Sequence, residues 1–167
     1  MATECVQNAV WSVNVPAKMR SVWFVLIGPT VEEVNAVLRT QHDEGGGYGF
    51  VGPSAAPALY MSVYDYAVGI PGDAPDEEET RAQRAAIGSA TPTVLVMADV
   101  SGRVPGDEQV KGLAELLLSA FNGFGFDDYF SYDHAWTLAE IRNDARVDGL
   151  HFFDYEGSYE RYKASKP

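Results

Sequence analysis

The stretch Ser21–Leu38, SVWFVLIGPTVEEVNAVL, decides the fold class. Ser21–Ile27 is almost entirely apolar and β-prone. A strand covered on both faces reads this way, whereas a half-solvated strand alternates. Gly28-Pro29 stops the run. Thr30 and Glu33 then occupy the two positions of a capping box. Val31, Val34, Val37 and Leu38 follow at helical spacing. The helix is predicted to reach about Gln41 and to stop before Gly45-Gly46-Gly47. A doubly covered strand running straight into an amphipathic helix is the building unit of a sheet with helices packed on it.

Upstream, Val10–Val15 alternates apolar and polar residues, as an edge strand ending at Pro16 would. Downstream, residues 43–58 form a long irregular connection, a length that is usually functional or mobile. Leu59–Tyr66 reads as a strand with Tyr60, Ser62, Tyr64 and Tyr66 on one face. A turn and a charge block occupy 69–79. Asp76 with Glu79 fits an N-cap and its N3 partner, opening a helix over about 77–88. Pro92–Val100 holds the second core strand. Asp107 is placed as the cap of a helix with the stripe Val110, Leu113, Leu117 and Phe121, closed by Gly123. Phe124–Asp133 reads as a loop rich in rings and carboxylates. Thr137 and Glu140 form a second capping box, with Trp136 and Ile141 as its hydrophobic staple. That helix runs from Leu138 to about Asp144. Gly149–Tyr155 reads as a last strand, and the tail beyond it as frayed. The expected fold is α/β or α+β: one domain over residues 1–167, with a mixed sheet of about five strands and helices packed on it.

The charge balance narrows the function. Against 24 acidic side chains stand 12 basic ones, a net charge of −12. Such a surface repels phosphate backbones and anionic lipid heads, so neither nucleic acid nor a membrane surface is an expected partner. It attracts a basic protein. A single cysteine, Cys5, excludes an internal disulfide and a cysteine zinc site. The first residues carry Glu4 and no basic region, and no run approaches the ~20 apolar residues of a membrane span, so the expected compartment is the cytoplasm.

No cofactor motif is present. Gly45–Gly52 lacks G-K-[ST], follows a helix, and is flanked by Asp43-Glu44, which would repel phosphate. His134, beside Asp133 and near Asp127 and Asp128, lacks any metal-ligand spacing. What remains is a carboxylate-rich C-terminal third with tyrosines interleaved. Tyrosines anchor protein interfaces, and carboxylates steer a basic target towards them. The candidate contact residues are Asp127, Asp128, Tyr129, Tyr132 and Asp133, then Asp154, Tyr155 and Glu156. A second acidic patch adds Asp76 and Glu77. The competing expectation is a small cytoplasmic α/β enzyme using Asp99, Asp133 or His134.

The residues Asp127, Asp128, Tyr129, His134, Trp136, Thr137, Leu138, Glu140 and Ile141 also carry a resemblance. An apolar helix, D-D-Y, a short gap, H-x-W-T-L-x-E-I and a final aromatic strand resemble bacterial immunity proteins of polymorphic toxin systems, in particular the immunity protein 52 type. The resemblance implies a small cytoplasmic protein without catalysis that neutralises a cognate secreted toxin, here a nuclease. A carboxylate surface could fill the basic cleft of such a toxin. Contact residues differ between such families, so the resemblance itself assigns none.

Overall fold

Both capping boxes form. Thr30 N–H donates to Glu33 Oε2 at 2.8 Å while Glu33 N–H donates to Thr30 Oγ1 at 3.2 Å. Thr137 and Glu140 repeat the exchange at 2.8 and 3.3 Å. Each starts a helix one residue later, as the reciprocal bonds satisfy donors that a helix start leaves free. These helices belong to a computed structural model that describes residues 20–40, 58–70, 77–102, 105–127 and 134–165. Its elements are β1 (Arg20–Ile27), α1 (Val31–Arg39), β2 (Leu59–Asp65), α2 (Glu77–Ile87), β3 (Val94–Val100), α3 (Asp107–Ala120), β4 (Asn122–Asp127), α4 (Leu138–Arg142) and α5 (Tyr155–Ala164).

The architecture is α+β in a single domain; the described residues form one sheet in the order β2-β3-β1-β4. Every pairing is antiparallel. β1 and β2 are therefore parallel with β3 slotted between them, and β3 and β4 are parallel with β1 between them. Two interleaved split β-α-β units result, the strand order of a ferredoxin-like sheet with α2 inserted between β2 and β3.

The two sheet faces carry different cores. Val22, Phe24, Leu26, Leu59, Val94, Val96 and Ala98 pack with α1 and α3 through Val34, Leu38, Val110, Leu113 and Leu117. On the other face Val25 and Phe126 pack with Ala135 and with Ile87 of α2. β1 is thus covered on both sides, which is why Ser21–Ile27 is apolar throughout. No helix among the described residues is long and apolar enough to cross a membrane.

Several expectations are corrected. Among the described residues the sheet has four strands where about five were expected, and it is antiparallel rather than mixed. Gly149–Tyr155 is not a strand. Val147 and Leu150 close a tight hairpin turn on Asp148 (φ 50) and Gly149 (φ 80), and α5 begins at Tyr155. Positive φ at both central residues is the two-residue hairpin geometry that Asp-Gly favours. The tail is helical to Ala164. Asp107 does not cap α3: the cap is Gly106, at φ 88, and Asp107 is the first helical residue. Gly123 does not close a helix, and Phe124–Asp127 is not loop, because both lie in β4. The strand Val10–Val15 and the glycine-rich connection over 43–57 lie outside the described residues.

Gly123 is required by how closely β4 approaches β1. A Cβ there would sit 2.4 Å from the Val25 carbonyl oxygen, a backbone atom that cannot step aside. Gly123→Ala should therefore cost ~1–3 kcal/mol, the usual range for overpacking. Urea unfolding should show a lower midpoint with an unchanged slope.

Candidate functional site

The structure gathers part of the expected surface at one corner of the domain. There the end of β4, the start of β1, the start of α3 and the segment leading into α5 meet. Phe152 and Phe153 are buried in the α1/α3-side core. Phe153 takes the left-handed backbone conformation, φ 58. For a bulky L-residue that costs of order 1–2 kcal/mol. Burial of the ring offsets it, as does the bond that Phe153 N–H donates to Asp127 Oδ2 at 2.9 Å. Asp127 is 2% exposed.

Asp154, also buried, works in the next residue's place. Its Oδ1 accepts from Gly157 N–H at 2.9 Å, capping α5. Its Oδ2 lies 3.8 Å from Arg146 and 3.6 Å from His151 Nε2. Asp127 and Asp154 are accordingly corrected as contact residues: both carboxylates are buried and serve backbone N–H groups. Tyr155 and Glu156 follow at the surface, Tyr155 half-buried and Glu156 exposed. Glu77 is exposed too, but it belongs to α2, which packs on the opposite face of the sheet. Asp76, Asp128, Tyr129, Tyr132 and Asp133 lie outside the described residues.

One side of α5 carries an ordered row. The Arg20 guanidinium stands 5.4 Å from the centre of the Tyr155 ring. Tyr155 and Tyr159, one helical turn apart, are stacked with centroids 6.4 Å apart and planes at 11°. Lys163 Nζ lies 4.5 Å above Tyr159. Arg20 is held for this role by the α3 approach, donating to Ser101 O at 2.6 Å and Pro105 O at 2.8 Å. Sequence reading missed Arg20, because its partners lie more than 80 residues away. It also missed α5. The signal was present: Asp154 at the cap, Glu156 in the first turn, and Arg161 and Lys163 in the last, the charge order that suits a helix dipole.

The carboxylates of this region are more occupied than their count implies. Glu115 receives the Arg142 guanidinium and the Ser119 hydroxyl, which hold its carboxyl down to about 2. Asp144 pairs with Lys111, and Glu160 with Lys163. Burial pushes the Glu140 carboxyl up, but the Thr137 N–H and hydroxyl and the nearby His134 outweigh it, so the net shift is downward. Asp107 goes the other way: burial raises its carboxyl beyond what His151, Lys111 and Arg20 restore. Glu156 and Asp148 carry no ion pair among the described residues and remain open to a partner.

Of the residues an enzyme would need, the described ones, Asp99 and His134, are not brought together. Asp99 accepts from Ser21 Oγ at 2.7 Å, on the α2 face of the sheet. His134 lies against Trp136, whose ring belongs to the α1/α3-side core, and its Nε2 is 3.1 Å from Glu140. The sheet separates the two, and Asp133 lies outside the described residues. No group of three or more metal-ligating side chains converges among the described residues. Comparison with family models, with curated proteins and with solved structures gives no match for this chain.

Three outcomes follow from this geometry. Asp127→Ala leaves the buried Phe153 N–H without its acceptor and should cost ~1–3 kcal/mol. Asp154→Ala removes a cap and should cost ~1 kcal/mol, with a loss of far-ultraviolet helix signal. For Glu140 the sign is that of a carboxylate whose folded pKa is depressed. Its contribution is present above the ordinary value of 4.5 and is lost as pH falls through the folded value. Glu140→Gln should therefore be less stable than the parent at pH 7, with the gap closing on acidification, as urea melts across pH would measure.

Proposed function

We propose that this protein is an immunity protein: it binds a cognate secreted bacterial toxin of basic character, a nuclease, and neutralises it without chemistry of its own. The observation that carries the reading is α5. None of its described side chains is buried in its own domain. A helix in most domains is stabilised by burying one stripe. This one instead carries a half-buried stacked tyrosine pair and the exposed carboxylate of Glu156. Tyrosine supplies large contact area at low entropy cost, and a chain of net −12 draws a basic target in by long-range attraction. The resemblance around Asp127–Ile141 points to the same class.

Chemistry of the steering fixes how binding should respond to mutation. Glu156 acts at long range, so its loss slows association. Tyr155 and Tyr159 act at contact, so their loss speeds dissociation. The test is co-expression with the nuclease domain of a protein encoded beside this one. Growth should be restored by the parent chain. Glu156→Lys should slow association, more so at low salt. Tyr159→Ala should weaken binding by about tenfold or more, the range of an interface anchor. Unimpaired rescue and unchanged rates in both variants would remove α5 from the interface. Failure of the parent chain to rescue would end the proposal.

A further inference from the structure

The tyrosine row on α5 is joined to the sheet at one end by Arg20, the first residue of β1. The joint is firm. Arg20 Nη1 and Nη2 donate to Pro105 O at 2.8 Å and to Ser101 O at 2.6 Å. Ser101 is itself tied back, its N–H donating to Ala58 O at 2.8 Å. Gly106, next in the chain to Pro105, lies so close to the end of β3 that a Cβ there would meet Val100 Cγ1 at 2.3 Å. The guanidinium therefore has a fixed site. From it, Arg20 stands 5.4 Å from the centre of the Tyr155 ring, inside the ~6 Å over which a ring attracts a cation.

The charge of Arg20 has the wrong sign for attraction. A chain of net −12 draws a basic target, and Glu156 adds to that pull, whereas a guanidinium beside the contact tyrosines subtracts from it. What Arg20 supplies instead is order. Tyr155 and Tyr159 are half-buried, and a side chain with one side in water changes rotamer readily unless something holds it. A ring fixed before contact has no rotamer freedom left to lose on binding. The stack passes that order along, since the planes of Tyr155 and Tyr159 lie within 11° of each other. Lys163, over Tyr159 at the far end, does not anchor the row to the body: it belongs to α5 itself and is ion-paired with Glu160 on the same helix.

We propose that Arg20 is a positioning residue for the α5 surface: it fixes the ring of Tyr155, and through the stack that of Tyr159, before a partner arrives. That α5 is the contact surface is the premise taken from the proposed function, whereas the ordering is a property of the free chain. An arginine is required rather than any cation. Its planar fork binds two carbonyls while the guanidinium lies over the ring; a lysine ammonium is a point charge on a flexible stem and sets no such plane. Arg20→Lys therefore keeps the charge and removes the fork, which separates positioning from steering. Arg20→Met removes both. Its two effects on capture of a basic partner have opposite signs: the chain becomes more negative, which favours encounter, and the tyrosines lose their order, which weakens the complex.

Two measurements on the full chain test it. In the free protein, χ1 couplings read by NMR should show one rotamer each for Tyr155 and Tyr159. Arg20→Lys and Arg20→Met should both show rotamer averaging, with the amide shifts of the sheet unchanged. Lys163→Met should leave Tyr155 fixed. With the nuclease domain used for the rescue test, Arg20→Lys should weaken binding about threefold to tenfold, mainly through faster dissociation. Arg20→Met should weaken it too, despite the gain in negative charge. In a Tyr155→Leu background the loss caused by Arg20→Lys should vanish, because residues that act through one another are not additive. Rings as ordered in the Arg20 variants as in the parent would overturn the proposal, whatever the binding rates. So would tighter binding by Arg20→Met, or the full Arg20→Lys loss in the Tyr155→Leu background. A Tyr159→Ala chain that binds like the parent would overturn the premise instead, and the ring couplings would still decide the ordering.

Discussion

Gly125 is the point on which the C-terminal third depends. Its N–H donates to Trp136 O at 2.8 Å and its carbonyl accepts from Trp136 N–H at 2.9 Å. That pair stitches residues after the 128–133 segment to the sheet margin. A Cβ on Gly125 would come within 3.1 Å of the Phe152 ring. The missing side chain is what lets Phe152 settle against Phe24, at a centroid distance of 6.2 Å, and against Trp136, at 6.0 Å. Backbone pairing and aromatic packing at one glycine thus dock α4 and fix where α5 starts.

From there the corner is built by short polar links, each aimed at a backbone group. Asp127 accepts from Phe153, Asp154 from Gly157, and Arg20 donates to the carbonyls of Ser101 and Pro105. Two carboxylates that would look like a partner surface are consumed in making the corner. The surface left over is narrower than the acidic count suggests: α5, with its half-buried tyrosine pair and the exposed Glu156, which has no ion pair among the described residues. The structure separates structural acids from those able to meet a partner, and it does so by burial.

What the domain offers a partner is therefore side-chain chemistry on α5, whose described residues are half-buried or exposed. The chain's net charge of −12 gives that surface a long-range pull on basic groups, one that added salt weakens.

Local signals were legible in the amino-acid order. Thr30/Glu33 and Thr137/Glu140 predicted two helix starts correctly, since a capping box acts within four residues and needs no tertiary partner. The run Ser21–Ile27 announced a strand covered on both faces, and the alternation in Leu59–Tyr66 placed its tyrosines on one face. Gly149–Tyr155 misled, because two adjacent phenylalanines fit a strand as well as a turn that plugs a core. The burial of Phe152 depends on the space that Gly125 leaves, over 20 residues away. The fates of Asp127 and Asp154 were equally hidden. A carboxylate's role is set by which N–H points at it, and for Asp127 that N–H belongs to Phe153, brought near only when the chain folds. Sequence determined the local starts and the apolar faces. Tertiary structure alone decided strand order, which acids are buried, and which helix buries none of its described side chains fully, because each depends on contacts between residues far apart in the chain.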